Sequence, residues 1–177
     1  MKSRYFLILL IIASTVGISF SIAQPTERNK PSKHWLLDVE NDTERFARLE
    51  TYLRGFDQPM WEVGHRYEMV YDAIVNNNYE LASYHWRKIK TTIKNGYLKR
   101  PARKFSADSM FLQSNVWASL EAALQSNDPK KIKKAFSVAR KTCMGCHVVE
   151  KVPFMNNQKM FHRTESFPES NESKLRN

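Results

Sequence analysis

Four consecutive stretches of the chain carry apolar residues at alternating spacings of three and four, and polar breaks separate them. This spacing puts the apolar side chains on one face of an α-helix, whereas strands require alternation at every second residue. The stretches predict helix A over 58–76, helix B over 79–95, helix C over 107–126 and helix D over 129–148. The pattern indicates an all-α protein, and four such helices joined mostly by short loops make an antiparallel four-helix bundle.

The stripes define a predicted core, and the breaks between them are turn signals. The run Asn76-Asn77-Asn78 favours a loop, Gly96 is expected to end helix B, and Asp128 is expected to cap helix D. The stripe residues are Met60, Val63, Tyr67, Val70, Ile74, Ala82, Trp86, Ile89, Ile93, Met110, Trp117, Leu120, Leu124, Ile132, Phe136, Ala139, Cys143 and Cys146.

The first residues of the chain have a different character. Lys2 and Arg4 precede an apolar run over 5–20, and small residues follow at 21–23. This order predicts a secretory signal peptide over 1–23, hence a periplasmic protein without membrane insertion after cleavage. The alternative is an uncleaved membrane anchor, for which the apolar run is slightly short.

The remaining sequence divides by composition into three further parts. Residues 24–56 are predicted to form a polar leader and a short N-terminal helix over 43–54, which extends the bundle. Residues 57–155 hold the four-helix bundle, and residues 156–177 are predicted to be a flexible polar tail.

The segment Cys143-Met144-Gly145-Cys146-His147 carries the chemistry of the chain. Two cysteines separated by two residues and followed by histidine form the attachment signature of haem c. Each thiol adds to one haem vinyl group, and the adjacent histidine presents a ring nitrogen to the iron. Gly145 lets backbone and macrocycle approach closely. We therefore predict one covalent haem c per chain, bound through Cys143 and Cys146 with His147 as the proximal ligand.

Three other interpretations of the motif are weaker. A thioredoxin-like redox pair belongs to an α/β context, which the helical pattern does not provide. A simple disulfide leaves the adjacent histidine unexplained. A zinc site needs two further ligands, and no zinc spacing is found among the other histidines, His34, His65, His85 and His162.

A signal peptide, four helices and this motif near the end of the last helix resemble the class II cytochromes c, the cytochrome c-prime group. The resemblance covers about 57–155, and residues 78–84, Asn-Tyr-Glu-Leu-Ala-Ser-Tyr, match an element that opens the second helix in related bundle cytochromes. It implies that the two cysteines and the histidine hold haem. It also allows a homodimer formed through helices A and B.

The resemblance leaves the sixth iron ligand open, because some members of the family have a vacant position and others place methionine there. In an antiparallel bundle, the end of helix D lies beside the first turns of helix A, whose stripe begins Met60, Val63, Tyr67. Met60 is the best ligand of the three, so we predict it as the distal ligand, with ordinary core packing as the alternative. His65 lies nearly opposite this stripe.

Charge and motif together predict the class of function. Loss of the signal peptide removes two basic residues and no acidic one, so the formal charge falls from +10 to +8 and favours an acidic redox partner protein. Export and the absence of a recognition motif argue against nucleic acid. We predict periplasmic electron transfer without enzymatic activity. The alternative is a five-coordinate haem protein that binds or senses a small gas such as nitric oxide.

Overall fold

The computed structural model describes residues 34–168, and these form helices and turns with no strand. The all-α prediction is therefore confirmed. Within this part of the chain no helix is both long and apolar enough to cross a membrane. The predicted signal peptide over 1–23 lies outside the described residues, as do the first part of the leader and the end of the tail.

Seven α-helices, two 3₁₀ turns and one π turn follow one another between residues 34 and 168. The α-helices are α1 (Asp42–Leu53), α2 (Asp57–Val75), α3 (Tyr79–Lys99), α4 (Lys104–Ala107), α5 (Asn115–Gln125), α6 (Pro129–Val149) and α7 (Lys159–Arg163). The other turns are two 3₁₀ turns, Pro101–Arg103 and Pro153–Asn157, and a π turn, Asp108–Leu112.

The described chain divides into two compact units, of which the first ends at Arg48 and the second begins at Leu49. In the first unit, the side chains of two arginines donate to backbone carbonyls of the preceding segment: Arg45 to Leu36 at 3.0 Å and Arg48 to Trp35 at 3.1 Å. Helix α1 confirms the predicted N-terminal helix. The division falls within α1, earlier than the predicted boundary between 56 and 57.

Helices α2, α3 and α6 begin within one residue of the predicted positions. The side chain of Asn78 accepts a hydrogen bond from the Leu81 amide at 3.1 Å and caps α3. The predicted cap of α6 is confirmed, because Asp128 accepts from the Lys130 amide at 2.9 Å and the Lys131 amide at 3.2 Å. Such caps satisfy amides that have no partner within the helix.

Gly96 does not end its helix, and this prediction is wrong. Helix α3 continues to Lys99, and Gly96 is buried within it. A β-carbon at Gly96 would lie 2.8 Å from Cε2 of Phe56, so the glycine accommodates an aromatic ring instead of terminating a helix.

Predicted helix C is interrupted near its start. The Gln113 amide donates to the Asp108 carbonyl, five residues earlier, at 2.7 Å, which defines a π turn. Ser114 then adopts an extended conformation before α5 begins. Phe111, within the π turn, is buried and meets the ring of Trp86 edge to face at a centroid distance of 5.2 Å.

Most of the core of the second unit is built from the predicted stripes. Helix α2 packs against α3, α3 against α5, α5 against α6, and α2 also contacts α6. The antiparallel order of a four-helix bundle stays a prediction. Stripe residues buried in the core are Tyr67, Val70, Ile74, Ala82, Trp86, Ile89, Ile93, Leu120, Leu124, Ile132, Phe136 and Ala139.

The flexible tail predicted over 156–177 is wrong for its described part, 156–168. After the 3₁₀ turn, α7 places Phe161 in the core, and Thr164 is also buried. The phenol of Tyr67 on α2 hydrogen-bonds to the Thr164 hydroxyl at 2.6 Å. The polar composition concealed this packing, because few apolar residues are enough to anchor so short a helix.

We expect Phe161→Ala to lower the free energy of unfolding by about 3 kcal/mol, since a buried phenylalanine is lost and a cavity remains. The exposed neighbour His162→Ala is the control and should change it by less than about 0.5 kcal/mol. Urea unfolding measures both values. Equal, small effects would contradict the packing of α7 on the core.

Candidate functional site

The two cysteines and the histidine of the motif lie in the last two turns of α6. Residues at i, i+3 and i+4 share one face of a helix, so Cys143, Cys146 and His147 point in similar directions. Both cysteines are free thiols and are partly buried. This face therefore offers two thiols and one imidazole side by side.

The environment of the two thiols keeps them protonated at neutral pH. Burial raises the pKa of the Cys143 thiol to about 12, and the neighbouring Cys146 acts in the same direction. Burial also raises the pKa of the Cys146 thiol, against the opposing charge of Arg103. A redox-active cysteine pair instead needs a lowered thiol pKa, which these two cysteines lack.

The imidazole of His147 hydrogen-bonds to the side chain of Asn156, a residue that follows α6 in the sequence. Its Nδ1 lies 2.8 Å from Oδ1 of Asn156, and Nδ2 of Asn156 donates to the Met144 carbonyl at 3.1 Å. The ring of Phe161 meets the imidazole edge to face at a centroid distance of 5.7 Å. Because Nδ1 is engaged, Nε2 is the ring nitrogen left for a metal, and this donor set fits haem c.

The side chain of Tyr67, on helix α2, lies beside the motif. Its ring stacks on Phe136 of α6 at a centroid distance of 5.1 Å. Burial raises the pKa of the Tyr67 phenol, the hydrogen bond with Thr164 lowers it, and the nearby Cys143 raises it further. The predicted inner face of helix A is therefore turned toward the cysteine that begins the motif.

Met60 lies in the first turn of α2, seven residues before Tyr67. It is partly buried and packs against the core. Its role as the distal ligand stays a prediction. His65, the other potential ligand in this helix, is exposed, in agreement with its place opposite the stripe.

His85 on α3 makes a partly buried contact with Arg66 of α2. Its Nδ1 lies 3.4 Å from a guanidinium nitrogen of Arg66. Burial lowers the pKa of His85, and the charge of Arg66 acts in the same direction. Among residues 34–168, no group of three or more histidine, cysteine or acidic side chains is placed to hold a metal ion.

Three side chains near the site were not singled out as site residues from the sequence. Asn156 belongs to a polar segment without periodicity, so no signal marked it. Met160 on α7 lies over Gly64, where a β-carbon would be 2.9 Å from its methyl carbon. The methyl group of Met110 lies 3.6 Å from the position of a β-carbon on Gly145. Met110 was predicted as a core residue because it belongs to the stripe of helix C, whereas no sequence pattern indicated Met160.

An ion pair closes the end of α6 beyond the motif. Arg103, in the turn after α3, pairs with the carboxylate of Glu150, and it also donates to the Glu150 carbonyl at 3.3 Å. On the other side, the Arg140 guanidinium donates to the Phe161 carbonyl at 3.0 Å. Both arginines therefore connect α6 to neighbouring segments of the chain.

Compared with protein families, with curated proteins and with solved structures, the chain shows no match.

In the chain produced without haem, we expect Gly145→Ala to raise the free energy of unfolding by up to about 1 kcal/mol, because alanine is the better helix former. The space beside Met110 accepts a β-carbon at an ordinary contact distance of 3.6 Å. Gly96→Ala is the matched control and should destabilise by about 1–3 kcal/mol, because the new carbon meets the Phe56 ring. Thermal unfolding distinguishes the two signs, and destabilisation in both variants would show that the space at Gly145 is closed.

Proposed function

We propose that this chain is an exported monohaem c-type cytochrome that transfers electrons in the periplasm. Cys143 and Cys146 bind one haem c covalently, and His147 is its proximal iron ligand. The observation that carries this proposal is the hydrogen bond between Asn156 and Nδ1 of His147. A histidine held in this way, beside two free thiols on the same helical face, is prepared to bind a metal through Nε2.

The residues around the motif suit a redox centre more than a thiol enzyme. When bound, haem supplies a one-electron couple between ferric and ferrous iron. The two thiols fix its position on α6 through their thioether bonds. The rings of Tyr67, Phe136 and Phe161 lie on the inner side of the motif and exclude water, which limits solvent effects on the potential.

Resemblance and charge extend the proposal to family and partners. We infer that the chain is a cytochrome of the class II type, with an antiparallel four-helix bundle and a homodimer as a permitted state. Its net positive charge favours an acidic redox protein, and transient electron-transfer complexes have small interfaces. Nucleic acid is not proposed as a partner.

Covalent attachment is tested first. The full chain, produced with a cytochrome c maturation system, should have the mass of polypeptide plus one haem and keep that haem through acid-acetone extraction. Cys143→Ala combined with Cys146→Ala should lose it completely, because no thioether bond can form. Extractable haem in the wild type, or a mass equal to the bare polypeptide, would contradict the proposal.

The sixth ligand decides between electron transfer and gas binding. If Met60 binds the iron, the ferrous protein should be low-spin and slow to take up carbon monoxide. Met60→Ala should then give a high-spin protein with a lower reduction potential, because a thioether favours the ferrous state. Absorption spectra with and without carbon monoxide measure the change.

Met69→Ala is the matched control, because Met69 lies on the same helix away from the predicted inner face. It should leave the spectrum unchanged. A low-spin protein that is insensitive to Met60→Ala would contradict the assignment and point to Met160, whose thioether covers Gly64 one turn further along α2. A wild type that is high-spin and binds carbon monoxide readily would favour the gas-binding function.

A further inference from the structure

Asn156 makes two side-chain hydrogen bonds, one to His147 and one to the helix that carries it. Its second partner, the Met144 carbonyl at 3.1 Å, can only accept. The amide nitrogen of Asn156 must therefore face Met144, because the amide oxygen has no hydrogen to donate. This contact fixes which way the amide group is turned.

The orientation of the amide determines which nitrogen of His147 carries the proton. With its nitrogen facing Met144, Asn156 turns Oδ1 toward Nδ1 of His147, at 2.8 Å. Since Oδ1 only accepts, Nδ1 must be the donor, and in neutral imidazole the lone pair then resides on Nε2. The tautomer that can bind iron through Nε2 is thus selected by the protein itself.

We propose that Asn156 is the positioning residue of this site: it fixes the tautomer and rotation of His147 and, as a neutral acceptor, keeps the reduction potential of the bound haem above the value a carboxylate acceptor would give. This inference rests on the proposed haem attachment. It assigns a role in tuning the potential to a residue beyond the motif.

The segment that carries Asn156 is anchored on both sides of the residue. Before it, the Val152 amide donates to the His147 carbonyl at 2.8 Å. After it, Arg140 of α6 donates to the Phe161 carbonyl at 3.0 Å, and the buried Tyr67–Thr164 hydrogen bond joins α7 to α2. The acceptor is therefore held in place, which a positioning role requires.

The chemical type of the acceptor determines the direction of its effect. An amide oxygen leaves the proton on Nδ1, so the imidazole stays a neutral ligand. A carboxylate accepts the same hydrogen bond more strongly and draws the proton away, which makes the ring more electron-rich and stabilises ferric iron. Removal of the acceptor makes the imidazole ring less electron-rich and therefore favours ferrous iron.

The test compares Asn156→Asp and Asn156→Ala in the haem-loaded full chain by spectroelectrochemistry. Asn156→Asp should lower the equilibrium constant for reduction on the order of tenfold, which for one electron is about 59 mV. Asn156→Ala should shift the potential in the opposite direction. A purely structural role, in which both variants merely loosen the segment, would move the two potentials the same way and overturn the inference.

Asn157→Asp is the matched control, because it adds the same charge at the next, exposed position. Its shift measures the effect of charge alone and should be much smaller than that of Asn156→Asp. Equal shifts would overturn the inference, and this comparison decides the matter even if Asn156→Ala does not fold. Absence of covalent haem in the wild type would contradict the proposed function instead, so the two failures are distinguishable.

Discussion

The side chain of Tyr67 joins the three helices on which the site depends. Its ring stacks on Phe136 of α6 and contacts Phe161 of α7 at a centroid distance of 5.7 Å. A buried phenol is costly unless its hydroxyl is paired. The Thr164 hydroxyl donates to the Met160 carbonyl at 2.7 Å, so the Tyr67 hydroxyl must be the donor in its hydrogen bond with Thr164. Both hydroxyl hydrogens in this pair of hydrogen bonds therefore have an acceptor.

Much of the fold could be predicted, because helical periodicity and capping are local properties of the sequence. The stripe that contains Phe136 and the cap at Asp128 are both present in the structure. The continuation of α3 beyond Gly96 and the π turn could not be predicted, for a different reason. Gly96 lies against the ring of Phe56, and Phe111 of the π turn lies against the ring of Trp86. Local propensity carries no information about neighbours that the fold brings near.

The residues of the candidate site also divide into those that local sequence can predict and those that only the fold brings together. The motif is contiguous, so its cysteines and histidine could be predicted as site residues from spacing alone. Asn156 could not, because a polar residue in a polar segment becomes meaningful only when the chain turns back after α6. Periodic spacing identified Met60 as a member of a stripe, but it does not distinguish an iron ligand from a packing residue, since both occupy the inner face of a helix.

The hydrogen bond between Tyr67 and Thr164 spans 97 positions of the chain. A contact between residues so distant in sequence closes a long loop, and the entropy of that closure must be lost before the contact contributes to stability. We therefore expect the C-terminal segment to close over α6 after the helices have formed. In the proposed cytochrome, the two thiols would stay open to haem attachment until this segment closes, so that maturation would precede the final orientation of His147.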